Sequence, residues 1–188
     1  MTDLIAEIPV AEQEICVTCG FCCDGTLFKR AMLEPGEYGS LPQKIEEQYG
    51  KADESEFFVL PCAYFCGKCT IYDQKRAEVC GAFRCKLLKN FSKDQFTQTD
   101  ALQTIANAKV MRNEIFQLYG DLVGVAYSRS FMELLDELPT LHRMYGADSV
   151  KNKQVSLLVL KCALLDTLLI KTFKSRKSFE ALLEPSMS

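Results

Sequence analysis

The stretch Cys16-Val17-Thr18-Cys19-Gly20-Phe21-Cys22-Cys23 places four thiols within eight residues, and the fold must arrange itself around them. A second group follows later in the chain, and only Cys162 stands apart from both; the second group is Cys62, Cys66, Cys69, Cys80 and Cys85. Disulfides, zinc ions and iron–sulfur clusters are the structures that gather so many sulfurs in one place. The cysteine pattern therefore predicts a site built from sulfur.

The composition is that of an ordinary globular protein. The chain has 188 residues, of which 48% are hydrophobic and 25% charged, and this length accommodates one domain or a small domain beside a helical one. Lys and Arg number 10 against 14 Asp and Glu in residues 1–90, and 12 against 11 in residues 91–188. Neither half has the strong positive excess of a general nucleic-acid binder, so nucleic acid is not an expected partner.

The N-terminal residues and one apolar segment indicate where in the cell the protein is expected. Residues 1–10 lack a basic region followed by a long apolar run, so no secretory signal is predicted. Lys161 and Asp166 interrupt the apolar segment 155–170, which falls short of the roughly 20 residues of a membrane span. We therefore expect a cytoplasmic protein without a membrane span, in which disulfides are rare and clustered cysteines bind metal or act in redox chemistry.

Short elements are predicted at the start of the chain. Pro9 disfavours a continuous helix into the thiol-rich stretch, residues 26–33 have strand character, and residues 42–49 have the spacing of a short helix. Long regular elements are scarce in this part. We therefore expect residues 1–90 to form a small, irregular cysteine-rich domain that metal ligation, rather than a large apolar core, holds together.

A hairpin and a helical segment are predicted around the second group of cysteines. The apolar run 57–60 and the segment 70–72 both have strand character, with Cys66-Gly67-Lys68-Cys69 at the tip between them. The chain is predicted to be helical on both sides of Gly81, with Cys85 on the first turns of the second helix.

Helix formers dominate after Asn90. Thr97 or Thr99 is expected to cap a helix that Gly120 interrupts. The apolar residues on one side of this helix are spaced by three and four, and they are Ala101, Ile105, Ala108, Met111, Ile115 and Leu118.

Three further helices are predicted, over 122–138 with Pro139 as its boundary, from Asn152 to about Phe173, and over 179–183. Short connections between amphipathic helices predict an antiparallel bundle in residues 91–188. The predicted fold class is thus mainly α, with a cysteine-cluster domain followed by a helical-bundle domain.

The spacing of the thiols favours an iron–sulfur cluster over zinc. Cys16-x2-Cys19-x2-Cys22 matches the three-ligand part of a bacterial ferredoxin motif, whose fourth ligand comes from elsewhere in the chain. In that motif a proline follows the fourth cysteine, whereas here a proline precedes Cys62. Adjacent Cys22 and Cys23 cannot easily face one tetrahedral ion together, so we expect them to serve two centres or to bridge two metals.

Side chains that suit such a site lie near the thiols in sequence. His142, the only histidine, lies in the helical half, so we expect a site made almost entirely of sulfur, whose negative charge cations would offset. The candidate cations, which could equally be ordinary solvated charges, are Lys68, Arg76, Arg84 and Lys86. The aromatic residues expected to pack the small core and shield the metal are Phe21, Phe28, Phe57, Phe58, Tyr64, Phe65, Tyr72 and Phe83.

Residues 16–86 resemble the YkgJ-type cysteine-cluster family, which is described as zinc- or iron-chelating. The resemblance rests on the CxxCxxCC run, on Pro61-Cys62, on Cys69-Thr70-Ile71-Tyr72 with Arg76, and on Cys80 with Phe83-Arg84-Cys85. A related cluster occurs in the flagellin lysine N-methylases. The resemblance implies eight metal-binding cysteines, namely Cys16, Cys19, Cys22, Cys23, Cys62, Cys69, Cys80 and Cys85.

The chain departs from this family pattern at two positions. Ala77 stands where the family usually has a proline after the arginine matched by Arg76, which affects the local turn more than the ligands. Cys66 is a ninth thiol that the pattern does not require, and it is interpreted as an alternative ligand, a redox thiol or a small buried residue.

Two functions are compatible with these features. The favoured one is an iron–sulfur protein with a redox role, or a role in modifying a peptide or protein together with a partner; the other is a non-enzymatic module in which structural zinc shapes a protein-binding surface. No glycine-rich phosphate loop and no site for a methyl donor is evident, so whether the chain is an enzyme stays open. His142 is interpreted as a packing or surface residue, and Cys162 as a small buried hydrophobe.

Overall fold

The computed structural model describes residues 10–127, 129–145 and 149–174. The chain is mainly helical with one small antiparallel sheet, which confirms the coarse fold class. The helices are α1 Val10–Cys19, α2 Gln43–Glu46, α3 Glu78–Ala82, α4 Lys86–Phe91, α5 Gln98–Val123, α6 Phe131–Tyr145 and α7 Ser149–Thr172. The strands are β1 Arg30–Met32, β2 Tyr49–Ala52 and β3 Ser55–Val59, in the order β1-β3-β2.

Helix α1 delivers the first thiols, contrary to the expectation drawn from Pro9. The helix runs through Cys16 and Cys19, because a proline disfavours the helical conformation of the residue before it but not of those that follow. Gly20 then ends the helix in the left-handed conformation, with φ at 68°, and its N–H donates to the carbonyl of Cys16 at 3.1 Å. Cys16 and Cys19 are consequently one turn apart on the same side of α1.

The hairpin in this half is formed by β2 and β3, and the predicted hairpin over 57–72 is wrong. A two-residue loop joins Ala52 to Ser55, and Asp53 adopts the left-handed φ of 53° that such a tight turn requires. Strand β3 lies between two partners and buries Phe57 and Phe58, whereas Val59, also part of the predicted buried run 57–60, is exposed. The segment 70–72 forms a turn instead, held by a bond from the Thr70 N–H to the Tyr64 carbonyl at 2.9 Å.

Two other predictions in this half are confirmed only in part. Residues 42–49 contain α2, which is shorter than predicted because Tyr49 and Gly50 belong to β2. Gly50 lies against the ring of Phe57, where an added Cβ would be 2.4 Å from a ring carbon. The strand predicted over 26–33 is limited to β1. Gly81 lies inside α3 rather than between two helices, and Cys85 is the N-cap residue before α4 rather than part of its first turns, because the backbone is extended at Phe83 and Cys85.

Helix α5 is the longest element, and its start was predicted correctly. Thr97 is its N-cap, with its hydroxyl accepting the Asp100 N–H at 3.1 Å while the Asp100 carboxylate accepts the Thr97 N–H. Four residues of the predicted apolar face are buried, namely Ala101, Ile105, Ala108 and Ile115. Gly120 does not interrupt the helix, which ends at Gly124 with φ at 83°, where a left-handed conformation favours glycine.

Helix α6 differs most from the prediction, because it begins at Phe131 and passes through Pro139. Ser130 accepts the Glu133 N–H at 3.2 Å, and the Glu133 carboxylate accepts the Ser130 N–H at 2.9 Å, so a capping box fixes the start. Leu134 and Leu141 are buried on either side of Pro139. Their burial outweighs the one helical hydrogen bond that the proline removes.

Helix α7 packs on both α5 and α6. It begins at Ser149, three residues before the predicted cap at Asn152, and ends at Thr172, close to the predicted end. The helix predicted over 179–183 lies outside the described residues. None of the helices in the described ranges combines the length and the apolarity that crossing a membrane requires.

The thiol-rich half and the helical half share one hydrophobic core. Phe21, fully buried, meets Phe173 edge to face at a centroid distance of 5.3 Å, and the Lys86 N–H donates to the Phe173 carbonyl at 2.9 Å. Ile15 and Leu27 belong to the same cluster. The division into domains 1–90 and 91–188 stays a prediction, but the apolar packing crosses its boundary.

Phe21→Ala should destabilise the chain strongly, since a buried phenylalanine truncated to alanine costs about 3–5 kcal/mol. The free energy of unfolding from urea titration measures the loss. Val110→Ala, on the exposed side of α5, is the matched control and should change stability by no more than about 0.5 kcal/mol. Equal stability of the Phe21→Ala variant and the native chain would show that the two halves do not share this core.

Candidate metal centre

Two adjoining cavities are lined by the eight predicted cysteines. The larger has a volume of about 290 Å³ and is lined by Cys16, Cys22, Cys23, Cys62, Cys69 and Cys80. The smaller has a volume of about 40 Å³ and is lined by Cys16, Cys19, Cys22, Cys23 and Cys85. Three cysteines face both cavities. The fold thus brings the first group of thiols and four of the five thiols of the second group to the same place.

Helix α5 fixes the loop that carries Cys22 and Cys23. Arg112 forms a partly buried ion pair with Asp24, and the same guanidinium donates to the Thr26 hydroxyl at 2.9 Å. Lys109, one turn earlier, donates to the Thr18 carbonyl at 2.6 Å. These bonds attach both ends of the thiol run to one rigid helix.

The later cysteines come from four short segments that surround the same space. The Cys62 N–H donates to the Cys23 carbonyl at 2.8 Å, which joins the second group of cysteines to the first. Cys69 forms an isolated β-bridge with Phe65. Cys80 lies within α3, and Cys85 directly precedes α4.

A close turn at Gly20 lets the thiol run approach this second group. An added Cβ at Gly20 would lie 2.5 Å from the ring of Phe65, which lines the larger cavity. Glycine is therefore required here for two reasons, its positive φ and the absence of a side chain.

Burial makes these thiols poor acids. Burial first, and then neighbouring thiols, raise the pKa of Cys23 to about 12 and that of Cys80 to about 11. Burial also raises the pKa values of Cys19 and Cys22 well above the ordinary thiol range. In the absence of metal these thiols are protonated at neutral pH, so a bound metal must displace their protons.

Positive groups oppose this effect at several thiols. Burial raises the pKa values of Cys16, Cys80 and Cys85, and the positive charges of Arg76 near Cys16 and Cys80 and of Lys89 near Cys85 reduce this rise without reversing it. Hydrogen bonds from the N–H groups of Leu87 and Leu88, at the start of α4, also reduce the rise in the pKa of Cys85. The site therefore offers stabilisation to thiolates even though the isolated thiols are hard to ionise.

Of the four predicted cations, two line the larger cavity and two do not. Arg76 and Arg84 line the larger cavity, where Arg84 also forms an ion pair with the buried carboxylate of Glu12. Lys68 is exposed, and Lys86 donates to the Lys171 carbonyl at 2.8 Å. Sequence reasoning missed Lys89, although its position four residues after Cys85 at the start of a helix was a usable signal.

Most of the predicted aromatic residues lie at the cavities. Phe21 lines the smaller cavity, while those that line the larger are Phe28, Phe58, Phe65, Tyr72 and Phe83. Phe28 and Phe83 meet edge to face with a centroid distance of 5.3 Å. Phe57 and Tyr64 line neither cavity. The ring of Phe57 lies against Gly50 and Arg30, and Tyr64 packs against the small core that contains Phe58. The walls around the thiols are therefore largely apolar.

Three other residues singled out from the sequence lie apart from the cavities. Cys66 is exposed, so its interpretation as a small buried residue is wrong. Cys162 is fully buried in α7, as predicted. His142 is exposed on α6, as expected of a surface residue.

The thiols surround the cavities without forming a ready coordination shell. Within the described ranges, no three Cys, His, Asp or Glu side chains have the geometry that would hold a metal ion. The identity of the ligands accordingly stays a prediction.

Comparison of the chain with protein-family models gave no match, and comparisons with curated proteins and with solved structures gave none either. The resemblance to the YkgJ-type family also stays a prediction.

The metal-free chain should lose stability as the pH rises above about 9, the range in which ordinary thiols ionise. There the unfolded chain releases thiol protons, whereas the folded chain keeps them until pH passes about 11 for Cys80 and about 12 for Cys23. Because the folded state then binds more protons, the free energy of unfolding falls with rising pH. Urea titrations under reducing conditions at several pH values measure the decline.

The double variant Cys23→Ala, Cys80→Ala is the control for this pH dependence. Its stability should decline less steeply over the same range, since two thiols with raised pKa values are gone. Cys19 and Cys22, and the tyrosines Tyr72 and Tyr127, whose pKa values burial also raises, still contribute to the decline. An identical decline in the variant and the native chain would assign the effect to groups other than these thiols.

Proposed function

We propose that this chain is a metal-thiolate protein that binds iron–sulfur centres through its eight clustered cysteines. The observation that carries the proposal is that all eight line two adjoining cavities, while Cys66 and Cys162 line neither. The residues that would hold the metal are Cys16, Cys19, Cys22, Cys23, Cys62, Cys69, Cys80 and Cys85. An iron–sulfur centre supplies one-electron transfer when it is bound.

The surroundings of the thiols suit such a centre. The larger cavity, about 290 Å³, has apolar walls that include Phe28 and Phe58, and apolar walls keep water away from cluster sulfurs and affect their potential. Arg76 and Lys89 lie where they favour the charged form of the thiols. The chain's own residues therefore provide ligands, shielding and compensating charge.

The role proposed for these centres is redox chemistry or participation in modifying a peptide or protein, in the cytoplasm. A protein or peptide partner is part of this proposal. Leu157, Leu160 and Leu164 are exposed along α7 at helical spacing, and adjacent exposed apolar residues are a common property of surfaces that bind proteins. The resemblance of residues 16–86 to the YkgJ-type family supports the same class of function.

Structural zinc is the second candidate. The smaller cavity, at about 40 Å³, suits a single ion better than a four-iron cube. In that case the metal would hold the thiol-rich half together and the chain would act as a protein-binding module without redox chemistry.

Anaerobic purification of the native chain, followed by measurement of iron, zinc and acid-labile sulfide, distinguishes the candidates. We expect iron and sulfide together, with a visible absorption band that reductant bleaches reversibly. A colourless protein with stoichiometric zinc would support the structural module instead. Purified chain that retains neither metal, and takes up neither on reconstitution, would contradict both.

The pair Cys69→Ser and Cys66→Ser tests the ligand set within a single Cys-x2-Cys sequence. Cys69→Ser should lower the metal content, because this thiol lines the larger cavity, whereas Cys66→Ser should leave it unchanged, because this thiol faces solvent. Metal and sulfide analysis of the two variants, purified identically, gives the answer. The reverse order of metal loss would require a different set of ligands.

A further inference from the structure

We infer that the eight cysteines form two separate centres of four thiols each, divided between Cys22 and Cys23. The first centre consists of Cys16, Cys19, Cys22 and Cys85, and the second consists of Cys23, Cys62, Cys69 and Cys80. The inference rests on the proposed function and adds to it the number of centres and the membership of each.

The apolar packing divides six of the cysteines into two sets of three. Cys19 and Cys85 are buried in the large core that also contains α5, α6 and α7, and Cys22 packs against that core. Cys62, Cys69 and Cys80 instead pack against the small core of the sheet half, which includes Phe58 and Ile71. The two sets therefore face each other from different cores.

Cys23 belongs with the second set. Its carbonyl accepts the N–H of Cys62 at 2.8 Å, so the two residues are adjacent in space. Cys22, its neighbour in sequence, packs instead against the large core that contains Cys19 and Cys85. Two consecutive cysteines are thus attached to opposite groups of thiols.

Cys16 completes the first set. It lies one helical turn before Cys19 on the same side of α1, and it lines the smaller cavity together with Cys19 and Cys85. Like Cys22, it also lines both cavities, so these two members of the first set border the second. Each set then contains four thiols, the number that a tetrahedral ion or a four-iron cube requires.

The division assigns a different part of the fold to each centre. The first connects α1 with the start of α4 and borders the core shared with the helical half. The second connects the thiol loop with the segment after β3 and with α3. Loss of one centre should leave the ligands of the other in place.

Paired and crossed double variants test the inference. Cys19→Ser with Cys85→Ser should lose no more metal than either substitution alone, because both remove the first centre. Cys62→Ser with Cys80→Ser should behave in the same way for the second centre. Cys19→Ser with Cys62→Ser, which takes one ligand from each set, should lose the metal of both. Cys162→Ala, in α7 and outside both cavities, is the control.

The readouts separate failure of this inference from failure of the proposed function. Metal and sulfide content, with the electron paramagnetic resonance spectrum of the reduced protein, report each centre, and far-ultraviolet circular dichroism verifies that each variant is folded. Native chain without metal would refute the proposed function itself. Native chain with metal, in which one folded single variant of either set loses all of it, would refute only the two-centre assignment.

A measurement on the native chain keeps the test decisive if variants do not fold. Metal-free chain is loaded with increasing amounts of ferrous iron and sulfide, the unprotected thiols are alkylated, and the modified cysteines are located by mass spectrometry. Members of one set should become protected together and at a different loading from members of the other. Protection of Cys19 in parallel with Cys62, rather than with Cys85, would overturn the inference.

Discussion

The packing of Phe21 against Phe173 is the contact on which the arrangement of the thiols depends. Phe21 lies between Cys19 and Cys22 in sequence, so its burial directs these cysteines toward the cavities while the backbone turns at Gly20. Arg112 secures the same loop from α5 through Asp24. The long helices therefore do more than complete a separate bundle, because they supply the surface on which the thiol run is fixed.

Two ion pairs with limited solvent exposure also hold the thiol-containing segments in place. Glu12 is 3% exposed and is paired with Arg84, which lines the larger cavity, and the partly buried Asp24 is paired with Arg112. Removing Arg84 would leave the buried Glu12 carboxylate without its partner, at a cost below the figure of about 3–5 kcal/mol for a fully buried pair, because Arg84 is itself partly exposed. Both pairs join residues far apart in sequence, so they specify how α1 and α5 meet the cysteine segments.

Much of this arrangement could be predicted from local sequence. The candidate caps Thr97 and Thr99, with the apolar spacing after them, predicted the start of α5, and the family resemblance of residues 16–86 implied the eight cysteines that line the two cavities. Tertiary contacts determined what was missed. Strand β3 pairs with β2 rather than with residues 70–72, and Leu134 and Leu141 carry α6 through Pro139, because burial outweighs local propensity at both places. The sharing of one core between Phe21 and Phe173 had no local signal, since the two residues are distant in the chain.

The thiols lie at the boundary of two hydrophobic cores. Cys19 and Cys85 belong to the core of the long helices, whereas Cys62, Cys69 and Cys80 pack against the core of the sheet. Thiols with raised pKa values lie between these cores, where their ionisation without a metal would cost free energy. A bound metal that stabilised the thiolates would offset this cost and would connect the two cores, because the proposed ligands lie in segments that pack against one core or the other. If the chain binds metal as proposed, metal occupancy would be coupled to the relative placement of the sheet and the helices, whether the metal transfers electrons or only maintains the fold.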